Sequence, residues 1–207
     1  MKIEFPHRTI PSTIALLAAA VAAALVGCQP TEAPKPVAVE EKVAWPEIKG
    51  YAEMPIPADN RMSTAKVALG KQLFYDKRLS GDGSRSCYSC HLKENGLTDG
   101  KPTAIGAYET KLTRSSPTLW NIGYHKEFYW DGRSKSLEEQ ALAAWRGGNM
   151  GATGKDGRPS LDDICGKLNQ IAGYQEQFQK VFGGPATPAN VAKAIAAFER
   201  TIVSDKS

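Results

Sequence analysis

Histidine, cysteine and methionine are scarce in this chain, and the scarcity narrows its chemistry. The 207 residues hold 3 His, 4 Cys and 4 Met. Four cysteines, scattered at Cys28, Cys87, Cys90 and Cys165, do not make a disulfide framework. Once the N-terminal leader is discounted, His91 and His125 are the only histidines, so a four-ligand zinc site is hard to assemble. Alternating apolar and polar residues of the strand kind are nearly absent, which argues against a β fold. No internal repeat is visible. The formal charge of +4 is mild. It would help docking onto an acidic partner, but it is not a nucleic-acid signature.

What is present begins with an export signal. Lys2 and Arg8 give a basic start, and Ile10 to Val26 an alanine-rich apolar run interrupted by Pro11, Ser12 and Thr13. The uninterrupted part is short against the roughly 20 residues that a bilayer-spanning helix needs, so a cleaved signal is the better reading. Leu25-Val26-Gly27-Cys28 resembles the lipobox of bacterial lipoproteins, with Cys28 as the lipidated mature N-terminus. Gln29 in the next position implies the outer membrane by the same resemblance. Lys2, Glu4 and Arg8 leave with residues 1–27, so the formal charge falls from +4 to +3. Residues 28–50, with Pro30, Pro34, Pro36 and Pro46, read as an anchored, semi-extended tether. Residues 51–207 are long enough for one domain with its own core.

Cys87-Tyr88-Ser89-Cys90-His91 is the densest functional signal. C-x-x-C-H is the attachment signature of c-type haem: both thiols add to the vinyl groups, and the adjoining imidazole becomes the proximal iron ligand. The duller readings are a redox dithiol and half of a zinc site. The first wants a strand–helix context missing here, the second more ligands. One covalent haem c is the expectation, and export suits it. Cys165, between Ile164 and Gly166, reads as a small buried hydrophobe.

The expected fold is mainly α, a cytochrome c-like helical domain with long loops wrapped around one haem. Ser63 caps a helix carrying Val67, Leu69, Leu73 and Phe74, which stops in the turn region from Asp76 to Gly83. Ser136 with Glu139, and Ser160 with Asp163, form capping-box patterns. Tyr174, Phe178 and Val181 or Phe182 mark a further short helix. Thr187-Pro188 opens the last one, along Val191, Ile195, Phe198 and Ile202. From Leu92 to Lys135 the chain reads as aromatic-studded loop, long enough to carry function.

Leu69-Gly70-Lys71-Gln72-Leu73-Phe74-Tyr75-Asp76-Lys77-Arg78-Leu79-Ser80 precedes the haem motif, and Arg114-Ser115-Ser116-Pro117-Thr118-Leu119-Trp120-Asn121 follows it. Phe128-Tyr129-Trp130-Asp131-Gly132-Arg133, Gln140-Ala141 and Ala197-Phe198-Glu199-Arg200-Thr201-Ile202-Val203 continue in order. Across residues 55–203 this series resembles the N-terminal, peroxidatic-haem domain of bacterial di-haem cytochrome c peroxidases, the superfamily of the methylamine-utilisation maturation enzyme. The resemblance implies hydrogen peroxide as substrate and a small c-type cytochrome or cupredoxin as electron donor. It places Trp130 between two haems and Gln140 on the distal side.

The departures from that pattern are specific. One C-x-x-C-H occurs, so a second haem would have to come from a separate protein, as in a split pair. The family's displaceable distal histidine aligns with Ala107, its catalytic glutamate with Met150, and its calcium-ligating asparagine with Ser115, so calcium is not expected. Met150, on a Gly-rich loop, is the candidate sixth ligand if the protein is a mono-haem electron carrier; otherwise the iron is open for peroxide. His125 reads as an ordinary loop histidine. Glu138 and Glu139 read as helix-dipole partners rather than proton relays. Arg114 and Arg133 are candidates for neutralising the haem propionates.

Overall fold

The computed structural model describes Trp45, Ile48 and residues 50–204. The expected signal, the lipobox at Cys28 and most of the tether lie outside the described residues. Ile48 donates its amide to the Tyr124 hydroxyl, and Tyr51 stacks edge-on against Tyr124, so the ordered body reaches upstream of residue 51. No helix among the described residues is long and apolar enough to cross a membrane.

Five α-helices carry this body: α1 (Thr64–Tyr75), α2 (Leu137–Arg146), α3 (Leu161–Leu168), α4 (Ala172–Phe182) and α5 (Pro188–Glu199). Four start at the expected hydroxyl caps. Ser63, Ser136, Ser160 and Thr187 each accept from the amide three residues on, an interaction worth about 1 kcal/mol apiece. The capping box closes at Ser160 with Asp163. At Ser136 it stays half-made, because the Glu139 carboxylate takes the Lys135 amide instead. Among the described residues strands are replaced by three isolated antiparallel bridges, Leu92 to Thr98, Ile105 to Lys111 and Phe128 to Ser134, all in the aromatic loop region.

The apolar stripes of these helices meet in one core. Leu69, Leu73 and Phe74 of α1 pack with Ile164 and Leu168 of α3, Tyr174 and Phe178 of α4, and Val191 and Ile195 of α5. Each such side chain, fully buried, contributes about 1.5–3 kcal/mol. α1 lies closest to α5, and Gly70 makes that approach possible: a Cβ there would collide with the Ala194 carbonyl. α2 also lies against α5, leaving its other flank to the loops.

A second polar core braces the helices. Asn60 is fully buried and donates to the Glu138 carboxylate at 2.6 Å and to the Lys193 carbonyl at 3.0 Å. Arg200 holds the same carboxylate with both terminal nitrogens, at 2.8 and 3.1 Å. Burial opposes the charge of Glu138, but Arg200 and Asn60 outweigh it and keep its pKa below the ordinary value. The Lys66 ammonium reaches Asn60 Oδ1. Glu138 therefore does more than face the helix dipole: it ties α2 to the end of α5.

Candidate functional site

A cavity of about 400 Å³ lies between the loops and the α2–α5 wall. Cys87, Cys90 and His91 all line it. Residues Cys87–Ser89 form a single 3₁₀ turn, in which positions three apart eclipse, so Cys87 and Cys90 share one edge of the turn. The amide of Ser86 donates to Ser89 Oγ and the amide of His91 to the Tyr88 carbonyl, which fixes the turn at both ends.

His91 Nδ1 donates to the Leu97 carbonyl at 3.0 Å, which makes Nε2 the nitrogen with the free lone pair in the neutral ring. This is the orienting hydrogen bond that metal-ligating histidines ordinarily make. Burial pushes the imidazole pKa down and keeps the ring neutral, as a ligand must be. Both thiols are pushed up by burial, the opposite of the lowered pKa that marks an attacking dithiol. Cys87 and Cys90 form no disulfide. Among the described residues no group of three or more His, Cys, Asp and Glu is placed to hold a bare metal ion, at this cavity or away from it. Two neutral thiols and an oriented, neutral imidazole on one mainly apolar cavity fit a covalently held haem.

The other expected residues distribute over the same cavity. Gln140, half-buried on α2, lines it, as does Met150, which is only 6% exposed. Two other loops and the segment's own turn knit Met150 in place through their backbones. Gly81 donates to the Met150 carbonyl at 2.7 Å, Ala107 to Asn149 at 3.0 Å, and Gly151 to Gly147 at 2.7 Å. Gly81 is required there, since a Cβ would lie 2.6 Å from the Gly151 carbonyl oxygen. Asp82 anchors the knot by accepting from the Tyr108 amide at 2.6 Å and from both hydroxyl and amide of Ser84. Burial works against its charge, yet these hydrogen bonds hold its pKa at about 2. Ala107 is buried beneath this knot rather than in the cavity wall.

Arg114, Lys111, Trp130 and Arg133 form the mouth. Asp131 pairs with Arg133 at 2.8 Å and approaches Arg114 at 3.8 Å, while the Arg133 guanidinium lies 3.4 Å over the Tyr129 ring. Trp130 donates to the Ser115 carbonyl at 2.9 Å and is 60% exposed. His125 is exposed and absent from the cavity lining, and Glu138 and Glu139 are absent from it too. Cys165 is buried, its pKa pushed up to about 12 by that burial.

One lining residue escaped the sequence reading. Glu199, on the last turn of α5, is 5% exposed and its Oε2 has no hydrogen-bond partner. The signal was available: Glu199 continues the Val191–Ile195 stripe at a spacing of four, a charge on an apolar face.

These features define a helical domain with two thiols and an oriented imidazole on the wall of one mainly apolar cavity. The family described as di-haem cytochrome c peroxidase matches residues 64–207, and the chain belongs to that family. It is 42% identical over 165 residues to Cytochrome-c peroxidase IdrP1 of Pseudomonas sp. (strain SCT), covering 79% of this chain and 42% of that protein. It is 38% identical over 157 residues to Methylamine utilization protein MauG of Methylorubrum extorquens, covering 74% and 42%. A solved MauG-like protein associated with microbial copper homeostasis superposes with a TM-score of 0.70 at 33% identity, covering 78% of this chain and 47% of that one. The chain thus spans less than half the length of the curated relatives it matches. Its mainly helical fold agrees with theirs.

Proposed function

We propose that this chain is a peroxidatic domain carrying one haem c, attached through Cys87 and Cys90 with His91 as proximal ligand. It reduces hydrogen peroxide to water with electrons from a small c-type cytochrome or cupredoxin. The observation that carries this reading is the convergence of both thiols and the oriented His91 ring on one cavity. Bound haem would supply the iron at which the peroxide O–O bond is cleaved.

The chain's own residues set the conditions for that chemistry. Leu97 O holds the imidazole in one tautomer and orientation. Gln140 offers a neutral carboxamide to orient a peroxide by hydrogen bonding. Arg114 and Arg133 provide charge-assisted hydrogen bonds to propionates at the mouth. Trp130, exposed beside them, is the edge through which electrons enter. A separate protein bearing a second haem is a fitting partner at that edge. Export and lipidation at Cys28 would place the domain on the periplasmic face, at the outer membrane, touching lipid only through its anchor.

A second reading rests on Met150, buried in the cavity wall. If its thioether occupies the sixth position, the protein is a mono-haem electron carrier. The ferric spectrum separates the two. The peroxidase reading expects a high-spin species that turns over hydrogen peroxide with reduced cytochrome c. A low-spin species with a sulfur-to-iron near-infrared band, lost in Met150→Ala and inert to peroxide, selects the carrier.

A further inference from the structure

Glu199 is a carboxyl group that the fold has isolated. It stands at the C-terminal end of α5, where the helix dipole disfavours negative charge. Its Oε2 is buried without a partner. The neighbouring Arg200, its natural counter-ion, is committed elsewhere: both terminal nitrogens bind the Glu138 carboxylate. Glu199 also faces the cavity beside Ile195 and lies near enough to Cys87 to act electrostatically on its thiol. It is distinct from the polar mouth, where Asp131 and the arginines are exposed and mutually paired.

The charges around it are few. Arg200 beside it favours ionisation and Glu138 of α2 disfavours it. Cys87, from the 3₁₀ turn, is consumed by thioether formation in the haem-bearing protein. On α1 the buried charge is Lys66, which is turned to Asn60 and the Arg61 carbonyl. α3 brings the buried, neutral Cys165. Burial dominates, raising the Glu199 pKa to about 8, so the acid form prevails at neutral pH. Glu199 is hydrogen-bonded to neither His91 nor Met150, and its side chain hangs from a different element.

We propose that Glu199 is the proton-linked group of this redox site: its carboxyl holds a proton when the site is reduced and releases it when the site is oxidised. This rests on haem being bound as proposed above. The coupling is Coulombic. Loss of one electron to a one-electron carrier adds one positive charge to the pocket, and the Glu199 O–H bond breaks, sending H⁺ to solvent. Gain of the electron restores the O–H bond with a solvent proton. The net charge of the low-dielectric pocket is then the same in both states, which avoids the cost of an uncompensated buried charge. The second, practical consequence is that electrons arrive with protons already in the cavity wall, and reduction of peroxide to water consumes both.

The test is the midpoint potential of the holo-protein as a function of pH, by spectroelectrochemistry, beside Glu199→Gln. In the parent protein the potential should fall with rising pH in a window at or below pH 8, approaching one proton per electron. That limit is a tenfold change per pH unit, about 59 mV for a one-electron couple. Glu199→Gln should flatten this segment. A flat parent profile, or an unchanged slope in Glu199→Gln, overturns the proposal. Arg133→Ala tests the propionates directly: a pH-dependent segment that moves with this variant belongs to them and overturns the proposal, whereas one that persists at the same pH supports Glu199. A reduced-minus-oxidised infrared spectrum of the parent needs no variant. A carboxylic-acid C=O band that grows on reduction, shifts in D₂O and vanishes in Glu199→Gln supports the role; its absence overturns it. Haem content measured on the same sample separates the readings. Haem present with a pH-flat potential removes the role of Glu199 and leaves the haem assignment standing, while absent haem removes both.

Discussion

The inner end of the cavity and its mouth treat charge in opposite ways. At the mouth, Arg114, Asp131 and Arg133 sit more than one-third exposed and share one another's charge, with Trp130 open to solvent beside them. Water screens each of these groups, so none contributes much to stability. At the inner end, Glu199 is buried and Cys87 half-buried, and the ion pair behind them, Glu138 with Arg200, is largely withdrawn from solvent as well. The lesson is that charge at the mouth is screened and costs little to change, whereas the same chemistry placed inside bears directly on folding.

The comparison can be broken most severely at the thiols. Cys87→Ser combined with Cys90→Ser should abolish covalent haem altogether, read as loss of in-gel haem staining after denaturation. Double serine substitution at the cysteines leaves the mouth untouched, so residual covalent haem would refute the attachment site. Next comes the buried pair. Arg200→Met strands the Glu138 carboxylate with Asn60 alone and should cost about 3 kcal/mol, measured as a lower urea midpoint.

The pH dependence of stability sharpens the contrast further. An unfolded chain releases the Glu199 proton near the ordinary 4.5, whereas the folded protein keeps it to about pH 8. Folding therefore takes up a proton in that interval, and stability falls as pH rises from 4.5 to 8. Denaturant titrations across the interval should show that decline, reduced in Glu199→Gln. Smallest of all is Arg133→Ala at the mouth. It should change stability by less than about 1 kcal/mol. Its effect belongs instead in a shifted midpoint potential, through the propionate it would neutralise, with covalent haem content unchanged.

Local chemistry made much of this molecule legible in advance. A hydroxyl cap needs only its own neighbours, so Ser63, Ser160 and Thr187 announced their helices correctly. Ser136 announced its helix too, but Glu139 turned to the Lys135 amide, a choice between adjacent donors that spacing does not decide. The C-x-x-C-H turn was equally local. Glu138 was not, because its burial arises from α2 lying against α5, which no window of sequence contains; Glu199 showed only as a charge on an apolar stripe, without the neighbours that isolate it. Likewise Tyr129 enters the cavity wall at φ 66, a left-handed backbone position that its residue type does not foretell. The placement of Met150 against the cavity agrees with the loop reading, while its bond to iron awaits the spectrum.

The segment around Met150 is pinned by main-chain amides and carbonyls, from Gly81 and to Gly147, rather than by the methionine's own side chain. Position 150 is thus fixed through its backbone, and the side chain it carries decides what the cavity wall presents there. Exchanging the thioether for an imidazole or a carboxylate would change the chemistry of that wall while these peptide hydrogen bonds persist.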